Sequence, residues 1–126
     1  MYTVREKTAP QGYALSASSS GSVSVVAGMT ADVAFVNDRI MGRIRIVKTD
    51  SLTGKPLAGA VFTVTRLSGP ASDHAADVGK VVATLTTNAQ GIAETGLLPW
   101  GEYKITETGV PDGYLDAGYT ANAWIK

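Results

Sequence analysis

Lys48, Glu107 and Asn37 each follow a row of apolar residues that occupies every second position of the chain. Residues two apart in a β-strand point to the same side of the sheet, so each of these polar groups is predicted to face an apolar interior. Glu6 repeats the pattern of Glu107. The apolar rows are Ile44 and Ile46 before Lys48, Tyr103 and Ile105 before Glu107, Val33 and Phe35 before Asn37, and Tyr2 and Val4 before Glu6.

The chemistry open to these groups is amide formation between an amine and a carboxamide. Burial disfavours the charged forms of an amine and of a carboxyl group. A neutral amine is a nucleophile, and a protonated carboxyl group can polarise a carboxamide and carry protons. Attack of Lys on Asn with loss of ammonia leaves an isopeptide bond, and well-oriented groups reach effective molarities of about 10⁵ M. For any one of these residues alone, extension of the polar end into solvent is the commoner outcome.

The composition excludes most other kinds of site. The chain has 126 residues, which allows one domain or one domain and part of a second. It has 11 basic and 11 acidic residues, so no nucleic-acid partner is expected. Because the chain has no Cys and His74 is its one His, we expect neither a metal nor a cofactor. No apolar run approaches the roughly 20 residues of a membrane helix, so no membrane partner is expected.

The hydrophobic pattern predicts an all-β chain. The 13 Val, 6 Ile and 14 Thr are enriched in strand-forming types, and the apolar residues alternate in short runs separated by Gly and Pro. Asn88 begins a turn that needs Gly91 at a positive φ. Strands are predicted at 2–7, 22–27, 31–37, 43–49, 60–67, 80–87, 92–97 and 102–108, with a weaker one at 119–125.

An internal repeat divides the chain. Residues 2–13, YTVREKTAPQGY, align with 103–114, YKITETGVPDGY, at a constant offset of 101 residues. A period of this length is a whole small domain, so the parent protein is predicted to carry tandem copies. Residues 1–41 are interpreted as the C-terminal strands of a preceding copy, and 42–126 as a domain that lacks its last strands.

Four linked motifs in residues 42–126 carry a family resemblance. They are KTDSLTGKPLAGAVF at 48–62, TNAQG at 87–91, LPWGEYKITET at 98–108 and PDGY at 111–114. Together they resemble the collagen-adhesin B-type domain, with its SpaA-like prealbumin fold, of Gram-positive surface adhesins and pilins. The resemblance implies an immunoglobulin-like sandwich of about seven strands. It also implies a non-enzymatic structural module of an adhesin or pilin shaft, extracellular and attached to the cell wall in the parent protein.

The resemblance also implies roles for the polar residues. In the family, a Lys on the first strand joins an Asn or Asp on the last strand with the help of a Glu. Lys48 then supplies the amine and Glu107 the catalytic acid of the second copy, while Asn37 is the acceptor of the first copy and Glu6 its assisting acid. By the repeat, the acceptor of the second copy falls about twelve residues past Lys126.

Two arrangements would join Lys48 to Asn37. If the chain closes on itself, the parallel first and last strands require a return of about 20 Å, whereas the link from 37 to 42 spans at most about 18 Å. Fraying at Gly42 would relieve that strain. If residues 1–40 of one molecule complete the domain of another, a head-to-tail oligomer forms. We favour this strand exchange, in which neighbouring copies of the same domain are the partners.

Other functions remain open at this point. The loops 68–79 and 109–118 suit a ligand-binding adhesin module that recognises a host extracellular protein or a glycan. Such sandwiches also accompany hydrolases as accessory domains. His74 is interpreted as part of a solvated loop rather than as a metal ligand. Four aromatic residues are interpreted as packing residues rather than as a ligand surface: Trp100, Tyr114, Tyr119 and Trp124.

Overall fold

The computed structural model describes residues 1–15, 20–70, 75–115 and 118–126, and it confirms the all-β class. The chain divides into two compact units, Met1–Ile40 and Met41–Lys126. The strands are β1 (Tyr2–Arg5), β2 (Ser20–Val23), β3 (Met41–Gly42), β4 (Arg45–Val47), β5 (Val61–Ser68), β6 (Val81–Thr86), β7 (Ile92–Glu94), β8 (Leu98–Pro99), β9 (Gly101–Gly109) and β10 (Thr120–Ile125). A 3₁₀ turn, Ala75–Asp77, lies between β5 and β6. Within the described ranges, no helix has the length and apolar character needed to cross a membrane.

The larger unit is built on an antiparallel sheet of four strands in the order β10-β9-β5-β6. Two short antiparallel pairs, β4 with β7 and β3 with β8, complete it. Side chains of β5 and β9 pack against Ile44 and the half-buried Ile46 of the β4 layer, so the core lies between two layers of strands. The buried apolar residues of this core are Ile44, Ala60, Phe62, Val64, Tyr103, Ile105 and Ile125.

The central strands β5 and β9 show the period of two that the sequence predicts. Along β9 every second residue is buried from Gly101 to Glu107, and Lys104 between them is exposed. Along β5 the inward positions include Arg66, whose side chain is fully buried and donates to the carbonyl of Trp100 at 2.9 Å. The alternation therefore places two charged residues, Glu107 and Arg66, in the interior. Arg66 was not among the residues predicted from the sequence to lie there.

The smaller unit has a hairpin and almost no interior. β1 pairs with β2, and Tyr13 forms a bridge with Arg39. Tyr2 and Val4 were predicted to face a core with Glu6, and this is wrong because they are 63% and 40% exposed. In the described part of this unit, no apolar side chain is buried.

One predicted strand is wrong. Residues 31–37 form no β-ladder with any described strand. Their exposure nevertheless alternates, with Val33, Phe35 and Asn37 half-buried and Ala34 and Val36 exposed. The segment keeps the side-chain pattern of a strand without a partner strand.

Candidate functional site

The main chain of Lys48 is fixed directly after β4. Its N–H donates to the carbonyl of Gly91 at 2.7 Å, and its carbonyl accepts from the N–H of Leu57 at 3.0 Å. Gly91 has a φ of 72°, and a Cβ built there would lie 2.4 Å from the carbonyl oxygen of Lys48. The predicted turn is confirmed, with the Asn88 Oδ1 accepting from the N–H of Gln90 at 3.0 Å. This turn therefore positions the main chain of Lys48, since only glycine permits its close approach to the Lys48 carbonyl.

Glu107 on β9 brings a carboxyl group to this amine. The Lys48 Nζ lies 3.3 Å from the Glu107 Oε2, and the two side chains are 22% and 1% exposed. Among the described residues, neither carboxyl oxygen of Glu107 has a hydrogen-bond partner. A buried carboxyl group without hydrogen bonds is costly, so Lys48 is the group that compensates it.

Tyr119 completes the surroundings of the amine. The Lys48 Nζ lies 4.8 Å from the centroid of its ring, within the range of a cation–π contact. The carbonyl of Tyr119 accepts from the N–H of Glu107 at 2.9 Å. Tyr119 thus contacts the amine through its ring and holds the main chain of the acid. From the sequence, Tyr119 was interpreted only as a packing residue. Its contact with Lys48 depends on the pairing of β9 with β10, which the sequence pattern does not specify.

The smaller unit joins the other two predicted residues. The Asn37 Nδ2 donates to the Glu6 Oε1 at 2.8 Å and to the carbonyl of Ala14 at 3.0 Å. A carboxyl group and a carboxamide from positions 31 residues apart therefore meet. The structure pairs the four predicted residues two by two, Lys48 with Glu107 and Glu6 with Asn37.

A polar link ties the two loops beside Lys48 together. The Tyr114 hydroxyl donates to the Asp50 Oδ2 at 2.6 Å. The Asp50 Oδ1 accepts from the N–H groups of Leu52 at 2.7 Å and Thr53 at 3.0 Å. The Tyr114 hydrogen bond and then these backbone donors lower the pKa of Asp50 to about 2. A cavity of about 700 Å³ opens between these loops and reaches Lys48.

The Asp50–Tyr114 link has a testable pH dependence. Because the pKa of Asp50 falls from 3.8 to about 2 on folding, the link stabilises the folded chain fully above pH 3.8. The contribution is lost as the pH falls through about 2. An NMR titration of the Asp50 carboxyl carbon should show a midpoint near 2 and a higher one in Tyr114→Phe. Tyr2→Phe is the control, and a wild-type midpoint at 3.8 would contradict the assignment.

The remaining candidate residues that the structure describes form no comparable site. His74 lies outside the described residues. Trp100 and Trp124 make an edge-to-face contact with centroids 6.0 Å apart, and Trp124 is 48% exposed. Within the described ranges, no group of three or more acidic or His side chains is arranged to hold a metal ion.

Comparison with known proteins finds similarity to a protein family and to solved structures. The SpaA prealbumin-like fold domain family matches residues 42–122. Among solved structures, the Bacillus anthracis TIE protein is similar, with a TM-score of 0.68 and 27% sequence identity. The match covers 99% of this chain and 22% of that protein, so the chain spans about a fifth of its length. No curated protein matches the chain.

Proposed function

The chain belongs to the family of SpaA prealbumin-like fold domains, and from this membership we propose that it is a structural module of a Gram-positive cell-surface adhesin or pilin shaft. Its first and last strands become joined by an isopeptide bond. The parent protein is extracellular and attached to the cell wall. The observation that carries the proposal is the 3.3 Å approach of the Lys48 amine to the buried carboxyl group of Glu107.

The reaction needs both groups in their neutral forms. Transfer of a proton from the Lys48 ammonium to Glu107 leaves a nucleophilic amine and a carboxylic acid. The acid donates a hydrogen bond to the acceptor Asn, whose Cγ the Lys48 Nζ attacks. The Nζ–Cγ bond forms, the Cγ–Nδ2 bond breaks, and the Nδ2 leaves as ammonia with one proton from the amine. Glu107 keeps the transferred proton at this stage, and it returns to the carboxylate when the released ammonia takes that proton and departs as ammonium.

The Glu6–Asn37 pair supports the tandem arrangement of such modules. Asn37 supplies a carboxamide, which is the group that Lys48 and Glu107 lack, and Glu6 is the acid that lies beside it. By the repeat, Glu6 corresponds to Glu107, so the residue that meets Glu107 in a completed module corresponds to Asn37. Each chain segment then holds the complementary half of a neighbouring site.

The bond gives a module without cysteine a covalent link. It encloses about 90 residues, and by the chain-entropy estimate used for disulfides it stabilises the module by roughly 4–5 kcal/mol. Tension between the first and last strands passes through a covalent bond rather than through a ladder of hydrogen bonds. Each site reacts once and consumes its Lys and Asn, so the module is not an enzyme.

An extended chain tests the proposal. Residues 26–40 are appended after Lys126, which places a second copy of Asn37 where the repeat predicts the acceptor, and the original Asn37 is replaced by Ala. The monomer should lose the mass of one ammonia, and peptide mapping should find Lys48 joined to the appended Asn. Lys48→Ala should retain the full mass, whereas Lys104→Ala, at an exposed lysine, should still react. Loss of ammonia in Lys48→Ala, or a free Lys48 amine in the extended chain, would refute the proposal.

A further inference from the structure

An apolar groove runs between β4 and β10 in the larger unit. Its cavity has a volume of about 390 Å³. Tyr119 lines both this groove and the cavity that reaches Lys48, so the groove leads to the Lys48–Glu107 pair. The apolar residues that line it include Ile44, Ile46, Phe62, Ile105, Ala121 and Ala123.

The strands on the two sides of the groove each have an edge without a partner among the described residues. β4 is hydrogen-bonded to β7 alone, and β10 is hydrogen-bonded to β9 alone. The N–H and C=O groups of such an edge are a template for a further strand. A strand added here would gain main-chain hydrogen bonds and cover the apolar lining at the same time.

Segment 32–37 has the side chains that this groove requires. Val33 and Phe35 share one side with Asn37, and Val36 on the other side is 77% exposed. Among the described strands of the smaller unit, none forms a ladder with the segment. The segment therefore has two apolar residues and the Asn37 carboxamide on one face, and its main chain can still pair with another strand.

The spacing fixes the direction of the added strand. Ile44, Ile46 and Lys48 follow one another at every second position, as do the three inward residues of segment 32–37. Parallel to β4, the segment places its two apolar residues beside Ile44 and Ile46 and Asn37 beside Lys48. In the antiparallel direction Asn37 would lie beside Ile44, remote from the amine.

The length of the connection argues for a second molecule. A parallel segment of the same chain would have to return about 20 Å to begin at Gly42, and the link from Asn37 spans at most about 18 Å. Gly42 cannot fray freely, because it is paired with Leu98 of β8. Parallel neighbours normally need a crossover of a dozen or more residues.

The smaller unit also needs a partner. It has 40 residues and buries none of its described apolar side chains, and a segment of this size rarely buries enough surface to be stable alone. We infer that segment 32–37 of a second copy of this chain fills the groove and that its Asn37 becomes bonded to Lys48. This inference rests on the proposed function, since it names the partner of the same site.

The exchange replaces one carboxyl partner by another. Asn37 leaves Glu6 of its own chain and meets Glu107 of the receiving chain. The Lys48 Nζ forms a bond to the Asn37 Cγ, and the Asn37 Nδ2 leaves as ammonia with one proton from the amine. One chain thus donates its segment and the other keeps its groove, so repetition of the step links chains head to tail.

Two complementary full-length variants test the inference. Lys48→Ala supplies only the acceptor and Asn37→Ala supplies only the amine, and the two carry tags of different size. Neither alone should form the bond, whereas their mixture should yield a covalent heterodimer with the summed mass less one ammonia. Lys48→Met, which keeps an apolar stem, should serve equally well as the acceptor chain if Lys48→Ala folds poorly.

Further changes within segment 32–37 of the Lys48→Ala chain, which supplies Asn37, test whether the segment enters the groove of the other chain. Phe35→Asp places a charge in the apolar groove and should lower the heterodimer yield about tenfold or more. Val36→Asp, on the exposed side, should leave the yield unchanged. Equal yields from the two variants would show that the segment does not enter the groove.

The outcomes separate this inference from the proposed function. If the extended chain forms its bond within the monomer but the complementary variants give no heterodimer, strand exchange is wrong and the module stands. If neither experiment yields a bond to Lys48, both are wrong. A wild-type monomer that loses ammonia while the mixture stays unlinked shows self-closure and overturns the exchange.

Discussion

Glu107→Gln slows formation of the Lys48 isopeptide bond by about 10²- to 10⁴-fold, the usual contribution of a positioned acid or base. Gln has the shape of Glu and fills the same buried position on β9, but it cannot take the proton from Lys48. It therefore can neither polarise the acceptor carboxamide as an acid nor carry a proton from the amine to the departing nitrogen. The rate is followed in the extended chain as the loss of ammonia with time.

The control for this change lies on the same strand. Glu102 is on the outward side of β9, five residues before Glu107. Glu102→Gln removes the same charge and should react at the wild-type rate. A Glu107→Gln chain that links as fast as the wild type would show that the buried carboxyl group takes no part in the chemistry.

Tyr103→Ala lowers the free energy of unfolding by about 3–5 kcal/mol, as expected for removal of a large buried aromatic ring. Tyr103 is fully buried at the centre of the core. Since a whole domain is stable by only about 5–15 kcal/mol, this single change removes a large share. Denaturant unfolding should be measured in a Lys48→Ala background, so that no covalent bond masks the difference.

Two further variants show how much of the stability loss comes from the Tyr103 hydroxyl and how much from its buried ring. Its hydroxyl donates to the carbonyl of Pro99 at 2.6 Å, and Tyr103→Phe removes this hydroxyl but keeps the ring, at a cost of about 1 kcal/mol. Lys104→Ala, on the exposed side of the same strand, should change stability by less than about 0.5 kcal/mol. A Tyr103→Ala chain as stable as Lys104→Ala would contradict the core described for the larger unit.

The larger unit was largely predictable because its pattern is local. Side chains alternate along any strand, so the inward direction of Glu107 could be predicted from Tyr103 and Ile105. The turn that begins at Asn88 depends on the φ of Gly91, which is also a property of a few neighbouring residues. The family match to residues 42–122 confirms the resemblance to the SpaA-like prealbumin fold that the motifs carried.

The smaller unit shows where local patterns mislead. Tyr2 and Val4 alternate as Tyr103 and Ile105 do, yet they are exposed. Alternation gives a residue its side of the strand, but burial requires a second layer to cover that side. Arg66 shows the converse, because its position on β5 is inward and the covering layer buries it completely.

By itself, the sequence determined the all-β class and the side of the strand on which Glu107 lies, and it predicted a boundary near residue 41. These features depend on the period of the strand and on an alignment of the chain with itself. The tertiary structure alone decided the 3.3 Å approach of Lys48 to Glu107 and the separate pairing of Glu6 with Asn37. It also decided the open groove beside β4, because contacts between distant residues depend on which strands pair, and a one-dimensional pattern does not specify that pairing.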